Sequence, residues 1–205
     1  MSTPDPVVYV IDDDKAMRDS LSWLLTSVNL ATETFASAGE FLDAYRLEQP
    51  GCLVVDVRMP GMSGLELQKE LAERSVDLPV IIITGHGEIE MAVRAMKAGA
   101  YDFVEKPFND QVLLDVVQKA IGENLEAARE RARRAEIQQR LDRLTVRERQ
   151  VLEGLISGKP NRQIASELNL SEKTIEFHRA KIMEKMRAGS FADLVISVMK
   201  TDAFQ

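Results

Sequence analysis

Five polar side chains in this 205-residue chain stand just past the ends of apolar runs. Asp12 and Asp13 follow VVYVI, Asp56 follows CLVV, Thr84 follows PVIII, and Lys106 lies two residues past YDFV. Carboxylates gathered in one place repel and raise one another's pKa unless a cation joins them. Hard oxygens in that number suit Mg2+, which takes one or two carboxylates together with waters and a phosphate oxygen. A hydroxyl and an ammonium beside them would hold phosphoryl oxygens as charge develops, the usual means of catalysing phosphoryl transfer. The chemistry within reach of these five residues is phosphoryl transfer. Asp14, one residue further on, has the position of a helix N-cap instead.

For those residues to meet, the runs that precede them must be neighbouring strands. Five candidates rich in Val and Ile, at 7–11, 31–35, 52–56, 79–83 and 101–104, alternate with helical patterns near 15–27, 38–47, 64–73, 88–97 and 110–121. Near-continuous apolar strands in regular β/α alternation predict an α/β doubly wound parallel sheet covered on both faces. Five units in about 120 residues suit the order 2-1-3-4-5, with the ligand site beyond the carboxyl ends of the strands. Cys52 reads as a small buried hydrophobe, His86 as a solvated histidine in the loop Gly85–Gly87, and Phe103, on pattern alone, as core.

The residues and their order carry a resemblance. Asp12-Asp13, Asp56, MPGMSG, Thr84, MKAGAYDFVEKPF and Lys106-Pro107 resemble the CheY-like receiver domain of bacterial two-component response regulators over residues 6–122. The resemblance implies that Asp56 accepts a phosphoryl group from a sensor histidine kinase. It implies Mg2+ held by Asp13, Asp56 and the Arg58 backbone carbonyl, with Asp12 reaching it through water. Thr84 and Lys106 would hold the phosphoryl oxygens, Phe103 would be an aromatic switch, and the bond before Pro107 would be cis. Dimerisation is implied around Val93, Lys97 and Tyr101.

The net charge of −7 divides unevenly. Residues 1–122 hold 20 acidic and 10 basic side chains, net −10; residues 123–143 hold 5 and 6, net +1; residues 144–205 hold 8 and 10, net +2. The first segment is unsuited to a phosphate backbone, while the last could meet one. Residues 123–143, with 11 charges and no Gly or Pro, predict a solvated helical linker continuing from the fifth helix. An Ala-rich stripe there (Ile121, Leu125, Ala128, Ala132, Ala135) makes a weak coiled-coil seam.

Residues 144–205 predict a small all-α domain. Thr145 and Glu148 have capping-box spacing, Gly158 and Pro160 break the first helix, a short helix covers 161–168, Ser171 caps EKTIEFHRAKIMEKM, and a last helix spans 190–199. On the third of these, Ile175, Ile182 and Met186 form a buried stripe, and Phe177 lies opposite, beside lysines. An outward Phe among cations suits a DNA major groove. The string LTVRERQVLEGLISGKPNRQIASELNLSEKTIEFHRAKIMEKM resembles the LuxR-type helix-turn-helix, which implies DNA contacts from Lys173, Thr174, Glu176, Phe177, His178, Arg179, Ala180, Lys181 and Lys185.

Joined, the two segments resemble FixJ-type response regulators. That implies phosphorylation-dependent dimerisation, promoter DNA and RNA polymerase as partners, and activation of nitrogen-fixation or low-oxygen genes under an oxygen-sensing, FixL-like kinase. No window reaches the roughly 18 apolar residues of a membrane span, and the first residues lack a signal pattern, so the expected location is the cytoplasm. A rival reading is a Mg2+-dependent hydrolase working through an aspartyl-phosphate, although position 58 holds Arg rather than an acid/base and there is no cap insertion. A second rival is a constitutive DNA-binding protein whose receiver only dimerises.

Overall fold

The computed structural model describes residues 5–46, 49–85 and 89–201. It divides into two compact units, residues 1–129 and 130–205.

The first unit is a five-stranded parallel sheet in the order β2-β1-β3-β4-β5. The strands are β1 (Val7–Ile11), β2 (Ala31–Phe35), β3 (Gly51–Asp56), β4 (Val80–Thr84) and β5 (Asp102–Glu105). The helices are α1 (Lys15–Ser27), α2 (Ala38–Ala44), α3 (Gly64–Glu73), α4 (Ile89–Lys97) and α5 (Asp110–Asp142). Strand side chains alternate between faces. Tyr9, Ile11, Leu53 and Val55 pack with Phe41, Leu67, Leu71 and Ala95 of α2, α3 and α4. Val8, Val10, Cys52 and Val54 pack with Leu21 and Leu25 of α1 and Leu113, Val117 and Ile121 of α5. Burial on both faces is why the strands read as unbroken apolar runs, and why their ends are where polar groups can emerge. Cys52 is fully buried, its thiol pKa pushed up to about 12 by burial.

Helix starts follow side-chain caps. Asp14 accepts from Ala16 N at 2.8 Å and opens α1, as its position suggested. Ser63 and Glu66 form a capping box that opens α3 immediately after the loop from Asp56. β4 and β5 sit one residue later than their patterns indicated, so Thr84 closes β4 rather than following it. The expectations for His86 and for a helix start at residue 88 fall outside the described residues, as does residue 47 at the anticipated end of α2.

α5 is one helix of 33 residues, so the charged stretch is helical, as its composition indicated. Asn124 is buried, donating to the Asp77 carbonyl at 2.7 Å and accepting from Gly51 N at 3.0 Å. Ile137 and Leu141 are buried in the core of the second unit with Leu144, Val151, Leu152, Ile175, Ile182 and Met186. Only residues 126–136 between these anchors are left to water. The second unit continues with α6 (Val146–Ile156), α7 (Asn161–Leu168), α8 (Glu172–Met186) and α9 (Phe191–Met199). The α7–α8 turn runs through Asn169 at φ 54°, a left-handed position that Asn tolerates better than most residues. Among the described residues no helix is long and apolar enough to cross a membrane.

Candidate functional site

Strand register brings the acidic residues to one sheet edge. Ile11 pairs with Val55 and Asp56 with Ile83, so Asp12, Asp56 and Thr84 leave neighbouring strands at one level. Lys106 joins them because its N–H donates to the Thr84 carbonyl at 2.8 Å. Its ammonium then lies 3.0 Å from Asp12 Oδ2 and 2.5 Å from Asp56 Oδ1. The Lys106–Pro107 bond is cis. Asp12, 2% exposed, also accepts from Asp14 N at 2.9 Å through Oδ1. Asp56 Oδ2 accepts from Arg58 N at 2.7 Å, and Thr84 is buried alongside.

Burial pushes the Asp56 pKa above its ordinary value despite opposing bonds from Lys106 and Arg58 N–H, and Asp12 adds to the rise. Burial works against the Lys106 ammonium, yet its bonds to Asp56 and Asp12 prevail and raise its pKa. The edge therefore holds more negative charge than one lysine balances comfortably.

Two supports at this edge were not anticipated from the sequence. Arg18 Nη1 donates to the carbonyls of Asp12 at 2.6 Å and Asp13 at 3.1 Å, fixing the loop that carries both. Gly64 lies against the Asp56 backbone, where a Cβ would sit 2.4 Å from the carbonyl oxygen. The spacing of Arg18, four residues past the cap Asp14, is the signal that a helix side chain can fold back on its own entry loop.

The second site is α8. Lys173, Phe177 (61% exposed) and Ala180 are open to solvent opposite the buried Ile175, Ile182 and Met186, and Glu176 is exposed on the flank between the two sides. The supporting helix α7 precedes α8 through a short turn, and α6 packs so closely on α7 that a Cβ on Gly154 would meet Ile164 at 2.8 Å.

The model for the response regulator receiver domain matches residues 8–118, and the model for bacterial regulatory proteins of the luxR family matches residues 142–198. The chain belongs to the response regulators. Transcriptional regulatory protein FixJ of Azorhizobium caulinodans is 49% identical over 188 residues, covering 92% of this chain and 89% of that protein. Response regulator protein TodT of Pseudomonas putida is 43% identical over 195 residues, covering 95% and 86%. The solved structure of response regulator StyR superposes with a TM-score of 0.90 at 47% identity, covering 96% of this chain and all of that one.

In this response regulator, Asp12, Asp56, Thr84 and Lys106 stand together, while Asp13 is exposed and its carboxylate has no hydrogen bond or ion pair among the described residues. No group of three carboxylate, histidine or cysteine side chains among the described residues forms a cage for a metal. The donor set still fits Mg2+, which binds through one or two carboxylates and keeps several waters, and Asp12 and Asp56 have one lysine between them, a surplus of negative charge that a cation would relieve. Arg58 enters the site through its N–H, bonded to Asp56.

Phe103, a core residue on pattern alone, is 43% exposed, because β5 is an edge strand whose outer face is open. Val93 and Lys97 are exposed on α4, with Met96 beside them unforeseen. Tyr101 is half-buried, its hydroxyl pKa pushed up to about 12 by burial first and by Glu123 second.

Two residues anticipated on the DNA face are turned to the scaffold instead. Lys185 bonds the buried Glu148 at 2.6 Å and the Arg143 carbonyl at 3.2 Å. Arg179 donates to Asn161 at 2.9 Å and stacks on Phe191. They lie on the two flanks of the buried stripe, Arg179 toward the starts of α7 and α9 and Lys185 toward α6. Thr174 bonds Ser171, His178 stands edge-on to Phe177, and Lys181 pairs with Glu184.

Proposed function

We propose that this response regulator is switched by phosphorylation of Asp56 and acts as a dimeric transcription activator. The observation that carries the reading is Lys106 bridging Asp12 and Asp56 beside Thr84. An Asp56 carboxylate oxygen attacks the phosphorus of a kinase phosphohistidine; the P–O bond forms and the P–N bond breaks, and the freed imidazole takes up a proton. Lys106 leaves its carboxylate partners to meet a phosphoryl oxygen, and the Thr84 hydroxyl donates to another. Asp13 and Asp56, with the Arg58 carbonyl and water-linked Asp12, would hold Mg2+, which supplies charge neutralisation.

The phosphoryl group adds about two negative charges at the edge. Thr84 moves toward it, exposed Phe103 turns inward, and the face of Val93, Lys97 and Tyr101 becomes a homodimer contact. Two α8 helices then meet one promoter, and the bound dimer engages RNA polymerase in the cytoplasm. Such a switch works only if the phosphoryl group favours one of two states. Likeness to FixJ supports a FixL-like kinase and nitrogen-fixation or low-oxygen genes as the regulon, and a transcript comparison of the deletion strain under low oxygen tests that step. The domains proposed are receiver 1–122, linker 123–143 and DNA-binding 144–205, with each end of the linker helix packed on the domain it joins. Sedimentation and DNA binding with and without fluoroberyllate plus Mg2+ test the switch; no change in either refutes it.

A further inference from the structure

The outward face of α8 carries a carboxylate that the protein itself does not use. At about 100° per residue, Lys173, Phe177 and Ala180 lie on the side opposite Ile175, Ile182 and Met186, and Glu176 stands on the exposed flank beside Ala180. Glu176 is exposed and has no hydrogen bond or ion pair among the described residues. It is not a counter-charge for the helix's own cations: Arg179, Lys181 and Lys185 bond Asn161, Glu184 and Glu148, and Lys173 makes no ion pair among the described residues.

On a face that meets phosphate-lined DNA, a carboxylate weakens general affinity, so it is tolerable there only where it accepts from a donor. In the major groove the donors are the amino groups of cytosine N4 and adenine N6. Adenine sets its N7 acceptor beside the amino group, where it would face the second carboxylate oxygen and repel it. Guanine O6 and N7 and thymine O4 are acceptors and repel it too. Cytosine is the base that remains. Phe177, the next residue, presents an apolar ring, and Ala180 one turn on is small enough to let the backbone approach. The apolar group in that groove is the thymine methyl.

We propose that Glu176 reads a cytosine amino group and Phe177 the methyl of a neighbouring thymine, so that half-sites are selected by an acceptor and an apolar contact. The inference rests on the promoter-binding reading above. Its test presents the full chain, activated with fluoroberyllate and Mg2+, with a randomised duplex library. The selected site carries a cytosine in each half whose replacement weakens binding about 5- to 150-fold, the range of one good side-chain-to-base pairing. Glu176→Gln converts the preference at that position from cytosine to adenine, because an amide offers adenine N6 and N7 both an acceptor and a donor. Replacing the neighbouring thymine by uracil weakens the wild type and leaves Phe177→Ala unmoved. A selective wild type whose base preferences survive Glu176→Gln at every position overturns the inference and leaves promoter binding standing. Selection of no sequence by either protein overturns both.

Discussion

Replacing Lys106 by methionine keeps the aliphatic stem and removes the cation that faces both Asp12 and Asp56. At separations of 3.0 and 2.5 Å and an effective dielectric constant of about 20, each pair attracts by about 5–7 kcal/mol before desolvation. Breaking a buried pair by removing one partner costs about 3–5 kcal/mol net. The lysine side chain is 24% exposed, so water screens part of the loss and about 3 kcal/mol is the expected deficit without Mg2+. The folded pKa of Lys106 is raised, so its contribution is complete below the unfolded value of about 10.4 and is lost as pH climbs through the folded one. The deficit should therefore hold across neutral pH and close only in strong alkali. Mg2+ should reverse it: an ion that binds the folded form stabilises by RT ln(1 + [L]/Kd), and carboxylates relieved of their lysine bind it more tightly. Urea unfolding followed by the near-ultraviolet circular dichroism of the packed Tyr9, Phe41 and Tyr45 rings reads the first unit directly. Equal stability of wild type and Lys106→Met without Mg2+, or equal gains on adding it, would refute the view that lysine and metal share the Asp56 carboxylate.

Asp56→Asn should abolish phosphoryl incorporation and raise the metal-free melting temperature at pH 7. The native carboxyl, with its raised folded pKa, favours the fold when protonated and loses that advantage as pH rises, so the two proteins should converge below about pH 4 in a calorimetric pH series. Gly64→Ala forces a methyl against the Asp56 carbonyl. It should cost about 1–3 kcal/mol as overpacking and slow acetyl phosphate labelling; an unchanged labelling rate would show that Asp56 is not held by that contact. Lys185→Met strands buried Glu148 and should destabilise the second unit by about 3 kcal/mol, read by hydrogen exchange across α6–α8, while leaving the salt dependence of DNA binding unaltered. Burial opposes ionisation of Glu148, but its bonds to Lys185 and Thr145 prevail and lower its pKa. The stability it lends is present above about pH 4.3 and fades as acid passes the folded value, a loss that should be blunted in the variant.

Strand ends and helix faces were legible in the sequence because they follow from periods of 2 and 3.6. The unbroken runs before Asp12, Asp56 and Thr84 determine both the burial of the strands and the place where their polar groups emerge. The end of the linker was less legible. Ile137 and Leu141 are two apolar residues in a highly charged stretch, and composition assigned them to solvent. Their spacing of four, continued by Leu144, marks a face that belongs to the second core. Side-chain commitments were least legible of all. Lys185 and Lys173 are the same residue type on one helix, yet one is bonded to Glu148 37 residues away in sequence and the other is exposed. Long-range pairing of that kind leaves no local period. Arg18, whose partners are carbonyls, leaves no trace in side-chain chemistry either.

Those commitments bear on how the proposed switch can work. Of the four cations on α8, Arg179, Lys181 and Lys185 have partners within the second unit and only Lys173 lacks one among the described residues. Each phosphate contact adds about −0.9 to the slope of log K against log salt, so a single copy with few uncommitted cations should show a shallow slope and weak binding at physiological ionic strength. Two copies on one duplex double the contacts and the slope together. Binding isotherms over a salt series, with and without fluoroberyllate, should therefore differ in slope by about twofold, and Lys173→Ala should remove about 0.9 for each copy bound. A steep slope that is the same in both states would mean that one copy already holds DNA firmly, and dimerisation would then have no affinity left to control.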